Sequence, residues 1–315
     1  MKIVILDAYT ANPGDLSWDM FSKYGELTVY DETPADLIIP RIGDAEIILV
    51  NSTPVSKEVM AACPSIRYIG ILATGYDRVD TAYAREHGIT VTNVPAYSTN
   101  AVAQQALALL LEICNHSAAH NDAVHNGKWM QEQKSFWDYP LIELAGKTMG
   151  IIGLGQIGRS LAKMAAGLGM EVIACSRSIR SEGLEVARYV SLEELLAASD
   201  VISLNCPAFP ETIGMINKET IAKMKDGVIL INCSRGKLVV DEDLAEALHS
   251  GKIYGAGLDV VSKEPIEPDN PLLSSPNCFL TPHIGWASFE SRKRLIDIAY
   301  HNLECWFSGN TQNIV

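Results

Sequence analysis

Three short stretches in the second half of the chain carry side chains suited to one piece of chemistry. They are Ile231-Asn-Cys-Ser-Arg235-Gly236, Gly257-Leu-Asp259-Val-Val-Ser-Lys-Glu264-Pro265 and Leu280-Thr-Pro-His283-Ile-Gly-Trp286. Each places a polar residue just beyond an apolar, strand-like run or in the loop after it, where open α/β sheets bind ligands. An Arg, a Glu and a His in such positions suit reduction of a carbonyl. The guanidinium fork of Arg235 would grip a carboxylate and polarise the neighbouring ketone. His283 would deliver a proton to the developing alkoxide, and Glu264 would orient the imidazole and favour its protonated form. Taken singly, a His before a helix, a Glu before a Pro and an Arg in a loop each have a structural reading; it is their joint occurrence below a nucleotide motif that gives them a chemical one.

That motif lies upstream, in Lys147-Thr-Met-Gly-Ile-Ile-Gly-Leu-Gly-Gln-Ile-Gly158. An apolar strand runs into Gly153-x-Gly155-x-x-Gly158, which opens a helix, and a second strand, Glu171-Val-Ile-Ala-Cys-Ser-Arg-Ser178, follows. This is the outline of a βαβ dinucleotide-binding unit. Gly153 is expected in the tight turn, Gly155 where backbone meets pyrophosphate, and Gly158 where helix packs on strand, with helix amides facing the phosphates. An acid about twenty residues past the glycines usually bonds the ribose hydroxyls. Here Ser176 stands in its place, backed by Arg177 and Ser178. A serine donor and a guanidinium suit a 2′-phosphate, so the pattern favours NADP(H); NAD(H), with Arg177 stacked on adenine, is the alternative.

The elements that would hold these residues alternate along the chain. Strands are expected at Lys2–Leu6, Leu27–Tyr30, Glu46–Val50, Arg67–Leu72 and Thr90–Asn93, with helical stretches such as Leu16–Tyr24 and Ser56–Ala62 between them. After Asn93-Val-Pro-Ala-Tyr-Ser-Thr99 a long Ala- and Leu-rich helix is expected to about His125, acting as a hinge between domains. Further strands are expected at Val201–Asn205, Gly227–Cys233, Gly255–Val260 and Cys278–Leu280, with a helix Glu242–His249, before a final helix from Ser288 to about Phe307. The pattern implies two α/β domains with parallel sheets, the second inserted into the first: residues 1–97 and 287–315, and residues 98–286.

Composition sets bounds. The 315 residues are 48% hydrophobic, ample for two cores, and no apolar run approaches a membrane span. The opening Met-Lys-Ile-Val-Ile-Leu-Asp7 has no cleavage-site region and reads as a first strand. A net charge of −13 argues against a nucleic-acid partner. Seven scattered cysteines with no Cys-x-x-Cys pair support neither a zinc site nor a disulfide framework, so no metal and a cytoplasmic setting are expected. Cys233, beside the candidate Arg235, reads as a small buried filler.

With these motifs in order, the chain resembles the D-isomer-specific 2-hydroxyacid dehydrogenases over essentially its whole length. The resemblance rests on Leu72-Ala-Thr-Gly-Tyr-Asp-Arg-Val-Asp80, Gly153-Leu-Gly-Gln-Ile-Gly158, Asn232-Cys-Ser-Arg-Gly236, Leu258-Asp-Val-Val-Ser-Lys-Glu-Pro265 and Thr281-Pro-His-Ile-Gly-Trp286. It implies a Rossmann nucleotide-binding domain inserted into a flavodoxin-like substrate domain. It also implies a substrate-orienting Arg235, an acid/base His283 with Glu264 as partner, and substrate contacts from Ala73, Thr74, Gly75 and Trp286. Cofactor contacts are implied for Gln156, Ile157, Cys206, Pro207, Thr212, Cys233, Ser234, Arg235, Asp259, His283 and Gly285, besides the three glycines and Ser176–Ser178. Within the family, segments such as Trp137-Asp-Tyr-Pro-Leu-Ile-Glu-Leu-Ala-Gly-Lys147 are most similar to glycerate dehydrogenases, also called hydroxypyruvate reductases. The resemblance further implies a homodimer, in which Phe136 and Trp137 either pack in a dimer arm or reach the pocket. A D-lactate-type enzyme with a larger substrate and a non-catalytic nucleotide sensor of the same architecture are the alternatives.

Overall fold

The computed structural model describes residues 1–131 and 139–315. The chain divides into two compact units, Met1–Ser98 with Ala287–Val315, and Thr99–Trp286. Among the described residues no helix is long and apolar enough to cross a membrane.

The first unit is built on five parallel strands: β1 (Lys2–Ile5), β2 (Glu26–Val29), β3 (Ile47–Val50), β4 (Tyr68–Ile71) and β5 (Thr90–Thr92). Their order is β2-β1-β3-β4-β5, so the chain winds one way from β1 and then returns to the other side. Central strands of a parallel sheet are covered on both faces and need continuous apolar runs. Ile47–Val50 and Tyr68–Ile71 are accordingly buried throughout, while the edge strand β2 keeps exposed residues. The helix Phe289–Phe307 buries Leu295, Ile296, Ala299 and Leu303 along one stripe, and the Ser288 side chain caps it by accepting from the Ser291 amide. The expected helix over Leu16–Tyr24 is instead a 3₁₀ helix, Asp19–Tyr24. The Asn12 amide group explains the shortening: it accepts from the backbone of Gly14 and Leu16 and donates to the Leu16 carbonyl, fixing a turn where a helix would begin.

The second unit carries seven parallel strands: β6 (Thr148–Ile152), β7 (Glu171–Cys175), β8 (Arg188–Tyr189), β9 (Val201–Leu204), β10 (Val228–Asn232), β11 (Ile253–Leu258) and β12 (Cys278–Leu280). Their order, β12-β11-β10-β9-β6-β7-β8, reverses between β6 and β9, and ligands of such sheets bind at the carboxyl ends beside the reversal. The two-residue β8 had no legible strand pattern. The single helix expected to about His125 is two, Thr99–Asn115 and Ser117–His125, because His116 turns left-handed at φ 47°. Its ring is buried and stacks on Tyr139, with centroids 4.6 Å apart, so tertiary packing rather than local propensity sets the break. Phe136 and Trp137 lie outside the described residues.

The helix Thr99–Asn115 lies against β11 at two glycines. A Cβ on Gly257 would stand 2.7 Å from Leu109 Cβ, and one on Gly255 2.8 Å from Ile113 Cγ2. A Cβ on Gly167, by contrast, would meet nothing within 4 Å. Gly257→Ala should therefore overpack the interface and destabilise the protein by about 1–3 kcal/mol. Gly167→Ala should be neutral or stabilise by up to about 1 kcal/mol. Thermal or urea denaturation of the two variants should give shifts of opposite sign or clearly unequal size; equal effects would remove the close approach as the reason for Gly257.

Candidate active site

Strands β10, β11 and β12 run side by side with Asn232 opposite Leu258 and Leu258 opposite Leu280, so the loops that follow leave the same sheet edge together. The first is held against the second by a missing side chain. A Cβ on Gly236 would collide with the carbonyl of Val261, so the Arg235 loop reaches its neighbour only as glycine. The fully buried Asn232 shapes that loop: its Nδ2 donates to the Arg235 carbonyl at 2.9 Å and its Oδ1 accepts from the Ser234 amide at 3.0 Å.

Asp259, only 2% exposed, organises the third loop. Its Oδ1 accepts from Thr281 Oγ1 at 2.6 Å and from the Ile284 amide at 2.9 Å, and its Oδ2 accepts from the Gly285 amide at 2.8 Å. Its carbonyl accepts from the His283 amide at 2.8 Å. A carboxylate bonded this fully can be buried without being left unsatisfied. These bonds fix His283 at φ 53°, a left-handed conformation that costs a non-glycine residue about 1–2 kcal/mol. Gln105 extends the network by donating to Thr281 Oγ1 at 3.1 Å.

From this turn the His283 ring reaches Glu264: Nδ1 lies 2.8 Å from Oε2, with both side chains partly exposed. Nε2 is the nitrogen left for a ligand. The bond to Glu264 holds the imidazolium, raising the His283 pKa above the usual 6.5 against the opposing effect of burial, with Asp259 adding to the rise. For Glu264 burial is the largest influence and acts upward, but the hydrogen bond and charge of His283 outweigh it and hold the carboxyl below its ordinary range. Arg235 is exposed and close enough to act electrostatically on both partners; among the described residues its guanidinium bonds only the Ser234 carbonyl, at 2.8 Å. The structure thus brings Arg235, Glu264 and His283 to one edge of the sheet.

The nucleotide motif meets the same edge. Gly153 adopts φ +97°, and a Cβ there would stand 2.6 Å from the Asn205 carbonyl oxygen. A Cβ on Gly158 would strike the Gly153 carbonyl. Gly155 differs: its φ of −75° suits any residue, and an added Cβ would meet nothing within 4 Å. Among the described residues no neighbour accounts for glycine there, and no side chain caps the helix Gln156–Gly167 that begins beside it. Open space over bare helix amides fits a diphosphate. Gln156 and Ile157 open that helix, and Ser176 is half-buried at the end of β7 with Arg177 and Ser178 exposed behind it.

The remaining expected contacts divide by what they touch. Thr212 Oγ1 donates to the Pro207 carbonyl and accepts from the Phe209 amide, both at 2.8 Å, bracing the loop after β9. Ser234 Oγ donates to the Cys206 carbonyl at 2.6 Å. Cys233 is half-buried rather than the fully buried filler expected, and burial pushes its thiol pKa well up. Trp286 is half-buried at the end of the second unit. In the first unit, the loop Ala73-Thr74-Gly75 follows β4. Thr74 Oγ1 donates to the Val94 carbonyl at 2.9 Å and the Ala73 carbonyl accepts from the Val94 amide, while the Thr74 and Gly75 amides make no bond among the described residues. Asn232, Thr281 and Gln105 were not singled out in the sequence. Asn232 and Thr281 do lie inside the motifs that carry Arg235 and His283; Gln105 gave no signal. Among the described residues no group of three His, Cys, Asp or Glu could hold a metal ion.

A reversed parallel sheet with a glycine-rich turn, and an Arg, a Glu and a His at its carboxyl edge, define a nicotinamide-dependent oxidoreductase. The NAD binding domain of the D-isomer specific 2-hydroxyacid dehydrogenases matches residues 107–285. A hydroxypyruvate reductase of Blautia hydrogenotrophica is 56% identical, with 100% of this chain and 99% of the relative aligned. A glycerate dehydrogenase of Methylorubrum extorquens is 37% identical over 100% of this chain and 98% of its own length. Among solved structures, an acyclic imino acid reductase in complex with NADPH and D-Arg superposes with a TM-score of 0.87 at 29% identity, covering 100% of both chains. The chain belongs to the D-isomer specific 2-hydroxyacid dehydrogenase family.

The His283–Glu264 geometry sets a titration. In the NMR titration of the protein, the His283 ring should titrate above the ordinary 6.5, and Glu264→Gln should bring it down by removing both the charge and the best acceptor. An unchanged midpoint in the variant would show that something other than Glu264 holds the proton.

Proposed function

We propose that the chain reduces small 2-ketoacids, hydroxypyruvate and glyoxylate foremost, to D-2-hydroxyacids, with NADPH as the preferred cofactor. The observation that carries the reading is the His283–Glu264 pair beside the exposed Arg235 at the carboxyl edge of the nucleotide sheet. The bound nicotinamide supplies the hydride. Arg235 holds the substrate carboxylate and draws charge toward the ketone oxygen. His283 gives that oxygen the proton on Nε2, and Glu264 stabilises the imidazolium before the transfer and orients it throughout. In the reverse direction the neutral imidazole accepts the alcohol proton. The names of the two relatives support the substrate class. Ser176, Arg177 and Ser178 in place of the ribose-binding acid support NADPH, since one charge-assisted bond to a phosphate is worth about 1.5–3 kcal/mol, or roughly a 10- to 150-fold preference.

His283→Ala should lower kcat for reduction by on the order of 10²–10⁴ with the fold intact by circular dichroism; near-normal turnover would remove it from the role. Because reduction needs the protonated ring and the His283 pKa is raised, kcat/KM for reduction should hold past pH 6.5 and fall as pH rises through the shifted value. Oxidation should gain over the same interval. A panel running from glyoxylate and hydroxypyruvate through pyruvate to phenylpyruvate tests the substrate class: the small ketoacids should lead, and a lead for phenylpyruvate would assign a larger pocket. The same panel with NADPH and NADH tests the cofactor, with Ser176→Asp expected to shift the ratio of kcat/KM toward NADH.

A further inference from the structure

We propose that Phe209 is a positioning residue for cofactor choice, its ring holding the Arg177 guanidinium ready for a 2′-phosphate. This rests on the NADPH reading above and deepens it. Strands β7 and β9 both pair with β6, so the loops that follow them flank the Gly153 turn. The β9 loop abuts that turn directly, with the Asn205 carbonyl oxygen 2.6 Å from where a Gly153 Cβ would stand. From the β7 side comes Arg177, and from the β9 side Phe209, and the guanidinium carbon lies 4.8 Å from the ring centroid. The contact closes from one loop to the other on the side of the turn where the second strand ends.

Phe209 is 37% exposed, so burial in a core does not account for its position. Its backbone is fixed independently, by Thr212 Oγ1 accepting from its amide and by the Thr212 and Ile213 amides donating to its carbonyl. A hydrogen-bonded loop thus presents a ring face to an exposed cation. A guanidinium attracted to a ring face engages its flat side, and its N–H donors, which lie in the guanidinium plane, remain free for phosphate oxygens. Holding the side chain in advance removes part of the ordering cost that phosphate binding would otherwise carry.

Steady-state kinetics with each cofactor, on wild type, Phe209→Leu and Phe209→Tyr, tests this. Leu keeps the apolar bulk and the backbone bonds but removes the ring. Phe209→Leu should raise KM for NADPH about two- to fivefold, with kcat and KM for NADH unchanged. Phe209→Tyr should restore the wild-type KM. In an Arg177→Ala background the same Leu substitution should have no further effect on NADPH. Equal shifts for both cofactors, or an unchanged NADPH KM in a wild type that prefers NADPH, would overturn the role of Phe209 alone. A wild type that prefers NADH would overturn the cofactor reading and this proposal with it.

Discussion

The candidate catalytic edge depends on one buried carboxylate. Asp259 sits at the end of β11, where a parallel strand stops and its neighbours' loops begin. Through its two oxygens and its carbonyl it bonds Thr281 and the amides of His283, Ile284 and Gly285. A loop of that length has no ladder to satisfy its amides and would otherwise draw on water. With Asp259 in place, the His283 backbone is held in a conformation it would rarely choose, and the ring is aimed at Glu264 rather than at solvent. The geometry of the His283–Glu264 pair is thus a consequence of where a third acid is buried.

Two close backbone approaches supply the rest of the positioning. Gly236 lets the Arg235 loop lie on Val261, and Gly153 lets the nucleotide turn lie on the loop after β9. Neither glycine touches a reacting atom, yet each sets the spacing between a loop with a chemical side chain and the loop beside it. Parallel strands contribute the direction, since all seven release their loops at the same edge, and the reversal between β6 and β9 opens the crevice there.

Much of this was legible in the sequence because its causes are local. Central parallel strands must be apolar throughout, so Ile47–Val50 and Val228–Asn232 declare themselves. The three glycines declare the nucleotide turn by spacing. What escaped were features whose cause is a specific side-chain contact rather than a pattern, most of them far along the chain. The break at His116 follows from packing against Tyr139. The shortened helix before Tyr24 follows from a side-chain turn at Asn12. The Asp259 network joins β11 to a loop more than twenty residues on, so spacing alone gave the residue no visible role as an organiser of His283. Gln105, brought to the same network from a helix at the start of the unit, carried no signal at all.

The charge distribution completes the physical picture. The chain is strongly acidic, with a net charge of −13, while a 2-ketoacid and a nicotinamide dinucleotide are both anions. The field of the whole molecule therefore opposes the ligands, and attraction must come from cations placed within bonding distance. At physiological ionic strength the screening length is about 8 Å, which weakens the distant acids far more than a contact pair. Arg235, beside a His283 ring whose pKa Glu264 raises, is one candidate for such a local positive region, and Arg177, beyond the end of β7, is another. Because the long-range field gives no help, the proposed function rests on the geometry of these few side chains: on Arg235 held by its loop, on His283 held by Asp259 and Glu264, and on Arg177 held against a ring.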